Sequence, residues 1–151
     1  MTSARRRGFG AERELARILW DSGFAVIRAP ASGAKSKHVI YPDLVAIYRG
    51  KIFIFEVKYR RSATLYVSLL QLQKLEEFAR RASASAFVAV KIARKGWYIV
   101  GLDMAKKTRN GVKIDKEVLD RAYTLQEFIN SVTNAPLDSF LKKRGGEGSD
   151  G

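Results

Sequence analysis

The amino-acid sequence predicts an α/β fold, a single domain in which helices flank one mixed five-stranded β-sheet. Two long segments repeat apolar side chains at helical spacing, and short runs rich in β-branched and aromatic residues lie between and after them. One of these runs is apolar at nearly every position, which is typical of a strand buried on both faces of a sheet. The chain has 151 residues, which is enough for one substantial hydrophobic core.

The first part of the chain is predicted to contain a helix and a short strand. Residues 5–22 carry apolar side chains near helical spacing, and Gly23 follows them as a stop signal. Ala25–Arg28 is a short apolar strand, and residues 29–40 form a loop that carries Pro, Gly, Ser and Lys.

A β-hairpin is predicted from two apolar runs, Leu44–Tyr48 and residues 52–57, which flank an Arg-Gly dipeptide. A two-residue loop at that dipeptide places Asp43 directly opposite Glu56. A four-residue loop gives the same pairing, whereas a three-residue loop does not. Opposed side chains lie about 4.5–5.5 Å apart, and like charges at that separation destabilise a strand pair.

The charged residues at the end of the hairpin predict a cation site. Lys58 follows Glu56 by two positions and therefore points to the same face of the strand. A cation between Asp43 and Glu56 would relieve their repulsion, and the lysine beside them is suited to contact a bound water or a phosphate. Carboxylate oxygens suit Mg²⁺ or Mn²⁺ rather than zinc.

The second half of the chain is predicted to contain one long helix, two strands and two short helices. Ser68 is a candidate N-cap for the long helix, and Thr124 has a glutamate three positions later, the spacing of a capping box. The first of the two strands is the nearly all-apolar one and is expected at the centre of the sheet, with the second as an outer strand. In chain order, these elements are predicted at residues 67–81, 87–92, 97–101, 116–123 and 124–132.

The domain is assigned to residues 1–135. Residues 136–151 end in a Gly-rich polar run, which is too polar to pack against a core and is predicted to be a disordered tail.

The basic composition predicts a polyanionic partner. The net charge is +13 and the isoelectric point about 10.2, which favours nucleic acid over an anionic membrane surface. A ribosome-type or merely soluble basic protein has the same charge balance. No apolar run approaches the roughly 18 residues needed to span a membrane, and no signal peptide pattern follows the N-terminal arginines, so a cytoplasmic protein is expected.

Two residue types restrict the chemistry. The chain has no cysteine, which excludes disulfides and thiolate-bound metals. His38 is the only histidine, so one subunit cannot assemble a histidine metal cluster or a Ser-His-Asp triad. Basic side chains near the predicted site are expected to contact DNA, the two loop lysines among them as part of a flexible arm. They are Arg5, Arg6, Arg7, Arg13, Arg28, Lys35, Lys37, Arg60 and Arg61.

The hairpin resembles a known nuclease signature. Pro42-Asp43 followed by Glu56-Val57-Lys58 matches the Pro-Asp…Asp/Glu-x-Lys pattern of the restriction-endonuclease-like nucleases. Together with residues 8–15, 23–28 and 32–33 and the helix and strands after the hairpin, it resembles the archaeal Holliday junction resolvases over roughly residues 5–105.

The resemblance implies a fold, an activity and a set of site residues. The fold is restriction-endonuclease-like, and residues 1–135 become a nuclease domain. The activity is Mg²⁺-dependent cleavage of four-way junction DNA by a homodimer, with paired symmetric nicks, in recombination and repair. The catalytic residues would be Glu12, Ser32, Asp43, Glu56 and Lys58, with Glu12, Asp43 and Glu56 holding the metal.

Several of these residues have a structural alternative. Glu12 fits equally an exposed carboxylate in the first turns of a helix, and Ser32 fits ordinary turn chemistry. Gln71 or Gln73 would lie near the site or simply on the surface. The large apolar side chains of residues 97–99, and of the leucine-rich helix with Phe78, would form part of a dimer interface or fill the core.

Two other functions remain open from sequence. One is a non-catalytic module that binds DNA of a particular structure, which does not explain why acids are placed where phosphates must approach. The other is a repair or restriction-type nuclease that acts on another DNA, because the catalytic signature is shared while the substrate is read by the surface.

Overall fold

The structure, a computed structural model, describes residues 3–30 and 39–134, without the side chains of residues 3–5 and 9. Its helices are α1 (Ser3–Asp21), α2 (Leu69–Ala82), α3 (Lys116–Arg121) and α4 (Leu125–Thr133), with a short 3₁₀ helix at Leu102–Met104. Its strands are β1 (Ala25–Arg28), β2 (Leu44–Tyr48), β3 (Lys51–Arg60), β4 (Leu65–Ser68), β5 (Ser85–Ile92), β6 (Gly96–Gly101), β7 (Lys106–Thr108), β8 (Gly111–Ile114) and β9 (Tyr123–Thr124). The predicted tail, residues 136–151, lies outside the described residues.

The central sheet is mixed, as predicted. Its strand order is β1-β2-β3-β5-β6-β9, with β3 and β5 parallel and the other pairs antiparallel. The five expected strands are present, and the two-residue β9 adds a sixth outside β6. β5 lies in the interior of the sheet with Val88, Ala89 and Val90 fully buried, so the inference from its apolar run is confirmed.

Each face of the sheet carries its own hydrophobic core. On one face α1 and α4 pack around Leu15, Leu19, Phe55 and Phe128. On the other face α2, α3 and a second, three-stranded sheet of order β4-β8-β7 cover the opposite side of β3, β5 and β6. Among the described residues, no helix is long and apolar enough to cross a lipid bilayer.

The small sheet was not predicted. The sequence places residues 67 and 68 in the long helix, but α2 begins at Leu69. The Ser68 side chain accepts a hydrogen bond from the Gln71 backbone N–H at 3.2 Å and, with the Gln71 side chain, forms a complete capping box. β7 and β8 are joined by residues 109 and 110, in a lysine-rich segment for which the sequence predicts no strand. Their apolar runs are too short to predict strands. The strands are stabilised because Val112 and Ile114 pair with β4 and are buried in the second core.

The turn of the predicted hairpin has two residues, Arg49 and Gly50, with φ of 47° and 82°. Positive φ at both positions defines the type I′ turn, whose twist matches that of the flanking strands. Tyr48 pairs with Lys51 and Leu44 with Phe55, so the predicted register is confirmed.

Two glycine substitutions should separate backbone strain from steric overlap. A Cβ at Gly50 would meet open space, so Gly50→Ala should introduce only the backbone strain of a positive φ. This strain should lower the free energy of unfolding by about 1 kcal/mol. At Gly111, with φ of 148°, a Cβ would overlap the Val67 carbonyl oxygen and press on the Leu69 backbone, so Gly111→Ala should cost about 3 kcal/mol or more. Urea unfolding measures both, and equal costs would contradict the close approach of β8 to β4.

Candidate active site

The two hairpin carboxylates lie at the end of the β2–β3 ladder. The paired register runs to Leu44 and Phe55, so Asp43 and Glu56 are the next residues along each strand. The Val57 backbone N–H donates a hydrogen bond to Asp43 Oδ2 at 2.8 Å. Because Val57 follows Glu56 directly, this bond holds the Asp43 carboxylate beside Glu56.

Glu56 is strongly perturbed by its surroundings. Its pKa rises from 4.5 to about 7, first because the carboxyl is buried and second because the Asp43 charge repels its ionised form. Lys58 opposes this shift. Lys58 Nζ lies 3.5 Å from Glu56 Oε1, and only 16 % and 21 % of the two side chains are exposed, so the charges interact in a poorly solvated place.

Glu12 approaches the same pair from α1. Its pKa also rises from 4.5 to about 7, mainly through burial and then through the charge of Asp43, while Arg28 lowers it. Glu12 is half-buried between the buried Ala11 and Leu15, at the edge of the apolar face as predicted. Glu12 is therefore not the fully exposed helix carboxylate that the sequence left as an alternative.

An ion pair that the sequence did not predict fixes the position of α1. Lys91 Nζ on β5 contacts Glu14 Oε2, which lies two residues from Glu12, and it also lies 5.9 Å from the centre of the Trp97 ring. The partners are 77 residues apart in sequence, so local spacing gave no signal. Beneath them Trp97 Nε1 is buried with no hydrogen-bond partner among the described residues.

The basic residues are distributed around the site with different roles. Arg7 lies over the Tyr59 ring at 6.0 Å, and Arg60 Nη1 donates to the Tyr59 carbonyl oxygen at 2.8 Å, so Tyr59 organises two predicted DNA contacts. Arg28 also acts on the pKa of Glu12. The remaining described ones, Arg6, Arg13 and Arg61, are exposed.

Other predicted residues lie outside the site or outside the described chain. Residues 31–38 lie outside the described residues, and they include Ser32, Lys35 and Lys37. The side chain of Arg5 also lies outside them. Gln71 is engaged in capping α2, where its side chain accepts a hydrogen bond from the Ser68 N–H at 3.3 Å, and Gln73 is exposed.

The donor set fits a hard divalent cation held by few protein ligands. Within residues 3–30 and 39–134, no group of three or more His, Cys, Asp or Glu side chains is arranged to hold a metal ion. The paired acids Asp43 and Glu56 nevertheless supply the one or two carboxylates that Mg²⁺ typically uses, with water and phosphate oxygens completing its shell. A cation there would offset the repulsion that raises the pKa of Glu56.

Comparison with known proteins identifies the class first. A bacterial homing endonuclease shares the fold with a TM-score of 0.51 at 14 % identity, over 89 % of this chain and 96 % of its own. This likeness shows the fold, which is restriction-endonuclease-like.

The family follows from closer matches. The model of the archaeal Holliday junction resolvase (Hjc) family matches residues 3–136, beyond the 105 expected from sequence. Crossover junction endodeoxyribonucleases Hjc of Sulfurisphaera tokodaii and Archaeoglobus fulgidus are 37 % and 38 % identical, over 93 % and 74 % of this chain and 100 % and 81 % of theirs. The solved A. fulgidus Hjc structure matches with a TM-score of 0.73 at 32 % identity, over 82 % of this chain and 96 % of its own. The chain belongs to the archaeal Holliday junction resolvase family.

The raised pKa of Glu56 predicts how stability depends on pH. The folded state binds this proton more tightly than the unfolded chain, so stability falls as pH rises from about 4.5 to about 7. Without divalent ions, Glu56→Gln should therefore be more stable than the wild type at pH 8, by about 2 kcal/mol, with a smaller difference at pH 5. Thermal unfolding at the two pH values measures this.

A matched control is Glu77→Gln on α2. Arg80 and Arg81 lower the pKa of this partly exposed glutamate to about 2, so removing its charge should not stabilise the protein at pH 8. A Glu56→Gln variant that unfolds at lower temperature than the wild type at pH 8 would show that the Glu56 charge is stabilised in the fold.

Proposed function

We propose that this protein is a structure-specific endonuclease that resolves four-way DNA junctions by paired, symmetric, Mg²⁺-dependent nicks. The observation that carries the chemistry is the triplet Asp43, Glu56 and Lys58, which the hairpin register brings together on one side of the sheet. The substrate is supported by the family and by its relatives, which are crossover junction endodeoxyribonucleases.

Asp43, Glu56 and Lys58 have different roles in the proposed hydrolysis. Asp43 and Glu56 would hold the cation, which when bound supplies a water of lowered pKa and stabilises negative charge on the phosphate. In this hydrolysis a water loses a proton as its oxygen forms a bond to phosphorus, the P–O bond to the leaving oxygen breaks, and that oxygen takes up a proton. Lys58, held 3.5 Å from Glu56, is placed to orient that water or to neutralise the charge that develops on the phosphate oxygens.

Two further contacts support this division. The Val57 N–H keeps Asp43 oriented for ligation, so the pair does not depend on the ion for its geometry. Glu12, with a pKa of about 7, can take up or release a proton near neutral pH beside Asp43. Glu56 must lose a proton to bind a cation, and so must Glu12 where it completes the metal shell as the resemblance implies, so metal affinity is expected to increase from pH 6 to pH 8.

The test is cleavage of a labelled four-way junction and of a matching linear duplex, with and without Mg²⁺, with each cut mapped. The wild type should cut the junction at two symmetric positions only with Mg²⁺. Asp43→Asn and Glu56→Gln should lose cleavage by at least about 100-fold and keep or strengthen junction binding, because they remove a ligand and a charge that repels phosphate. Lys58→Ala should lose cleavage but keep Mn²⁺ binding, measured by calorimetry.

The control acid is Asp21, which pairs with Arg17 at the exposed end of α1, so Asp21→Asn should cut at the wild-type rate. Near wild-type cleavage by Asp43→Asn or Glu56→Gln would contradict the metal-site assignment. Junction binding without cleavage by the wild type in Mg²⁺ or Mn²⁺ would favour the non-catalytic DNA-binding module.

The homodimer is part of the same proposal, because a junction needs two nicks placed about its two-fold axis and the chain carries one Asp43–Glu56–Lys58 site. Of the interface candidates that the sequence suggests, Trp97 and Ile99 are buried in the core. An exposed apolar patch at the start of the leucine-rich helix supports the dimer instead. It consists of Tyr66, Leu69 and Leu70, exposed by 62 %, 51 % and 61 %.

Leu70→Asp should convert the dimer into a monomer, because it places a charge in a buried contact. Folding should not suffer, since an acid in the first turn of α2 is favoured by the helix dipole. The control is Trp20→Lys, which changes an equally exposed residue, 63 %, to a base favoured at the end of α1. Sedimentation measures both.

A wild type that sediments as a monomer at micromolar concentration would contradict the dimer, and a dimeric Leu70→Asp variant would contradict the patch. In mixtures of wild type with Asp43→Asn, heterodimers should nick one strand only. Paired cuts by such heterodimers would mean that the two sites are not divided between subunits.

A further inference from the structure

An exposed apolar surface lies beside the carboxylate pair, on the open edge of the central sheet. It consists of Ile27, Ile40, Tyr41 and Val45, here called the apolar shelf. Ile27 is 65 % exposed, Ile40 38 % and Tyr41 40 %, while Val45 is half-buried. The proposed mechanism uses acidic and basic side chains and gives these apolar residues no role.

The strand register places Ile27 and Val45, the part of the shelf that lies on β1 and β2, on the face that carries the acids. Ile27 pairs with Val45, and Val45 is two residues from Asp43, so all three point to one face. The neighbouring pair, Val26 and Ala46, points to the opposite face and packs in the core under α1. Two residues along a strand span about 7 Å, so Val45 directly adjoins the site.

The chain enters the site along the same edge. The Ala29 N–H donates to the Asp43 carbonyl oxygen at 2.9 Å, which extends the β1–β2 pairing up to the acid. Ile40 and Tyr41 come immediately before Pro42-Asp43, within three residues of the acid. On this face α2 packs over β3 and β5, whereas Ile27 on β1 stays open.

These side chains are unsuited to the backbone of an intact duplex. A duplex presents phosphates to a cutting site, and phosphates call for cations such as the exposed Arg28 beside Ile27. Large apolar and aromatic side chains instead contact base faces, by wedging between base steps or by stacking on unpaired bases. Base faces become accessible where stacking is interrupted, as it is at the centre of a four-way junction.

We propose that the apolar shelf packs against bases exposed at the branch point and that Tyr41 supplies a stacking face, so that the shelf selects branched over linear DNA. The inference rests on the proposed function, since it names how the same site recognises its substrate. Arg28 and the net charge of +13 attract any DNA, and the shelf adds the preference for a branch.

The test compares binding of a four-way junction and of a linear duplex with the same arm sequence, in EDTA so that no strand is cut. Tyr41→Ala should weaken junction binding about ten-fold and leave duplex binding within about two-fold, as expected for one lost stacking contact. Tyr41→Phe keeps the ring and should bind as the wild type does. Ile27→Thr keeps a β-branched residue in the strand and should also weaken junction binding selectively.

Tyr123→Ala is the matched control. Tyr123 is similarly exposed, 46 %, but lies on β9 at the opposite edge of the sheet, five strand spacings or about 24 Å from β1. This variant should bind both DNAs as the wild type does. With 2-aminopurine at the branch point, the wild type and Tyr41→Phe should quench its fluorescence, whereas Tyr41→Ala should not.

Three results would overturn the inference. The first is an unchanged preference for the junction in Tyr41→Ala and Ile27→Thr, and the second is an equal loss of affinity for junction and duplex. The third is loss of the dimer in these variants, which would make the shelf a contact between subunits. If the wild type cuts junctions and any of these results is found, the shelf fails and the proposed function stands. A wild type that neither prefers nor cuts junctions overturns both.

Discussion

The site depends on one constraint, the register of β2 against β3. Leu44, Ala46, Phe53 and Phe55 are buried in the core on one face of the hairpin, and a shift by one residue would turn each of them to the other face. Burying one such large side chain stabilises the fold by about 1.5–3 kcal/mol, so together they outweigh the few kcal/mol by which two adjacent carboxylates repel. Packing energy therefore holds Asp43 and Glu56 together in a protein that would otherwise separate them.

That unfavourable pairing is useful to a cation site. Burial and the Asp43 charge leave Glu56 with a pKa of about 7, and Glu12 reaches a similar pKa beside the same aspartate. Carboxylates that are already held in place would need no rearrangement to bind the proposed cation, which is the physical basis of a preorganised site. The backbone N–H of Val57 contributes to this by orienting Asp43 from within the strand.

The surface around the site divides into regions of different chemistry. The arginines around the site, two of which contact Tyr59, are suited to bind phosphates. The apolar shelf beside Asp43 is suited to pack against bases. The patch at the start of α2 is a third region, formed from other elements, and is available to a second copy. Recognition of a branched substrate and assembly of two active sites can thus use separate parts of one small domain.

The central elements and the acidic pair can be predicted from the amino-acid sequence, because both depend on local spacing. Alternation along two strands and the dipeptide between them set the hairpin register, and the register alone puts Asp43 opposite Glu56. Most helices, the interior strand β5 and the caps at Ser68 and Thr124 also follow from patterns that extend over a few residues.

The tertiary structure decided what depends on residues far apart in the chain. The second sheet forms because short, lysine-rich strands gain stability only against β4, and Trp97 is buried because α1 and α4 cover its face. The Lys91–Glu14 contact that positions α1, and with it Glu12, joins residues 77 positions apart. Side-chain spacing in a sequence carries no record of such contacts, because their energy depends on distances that exist only once the chain has folded.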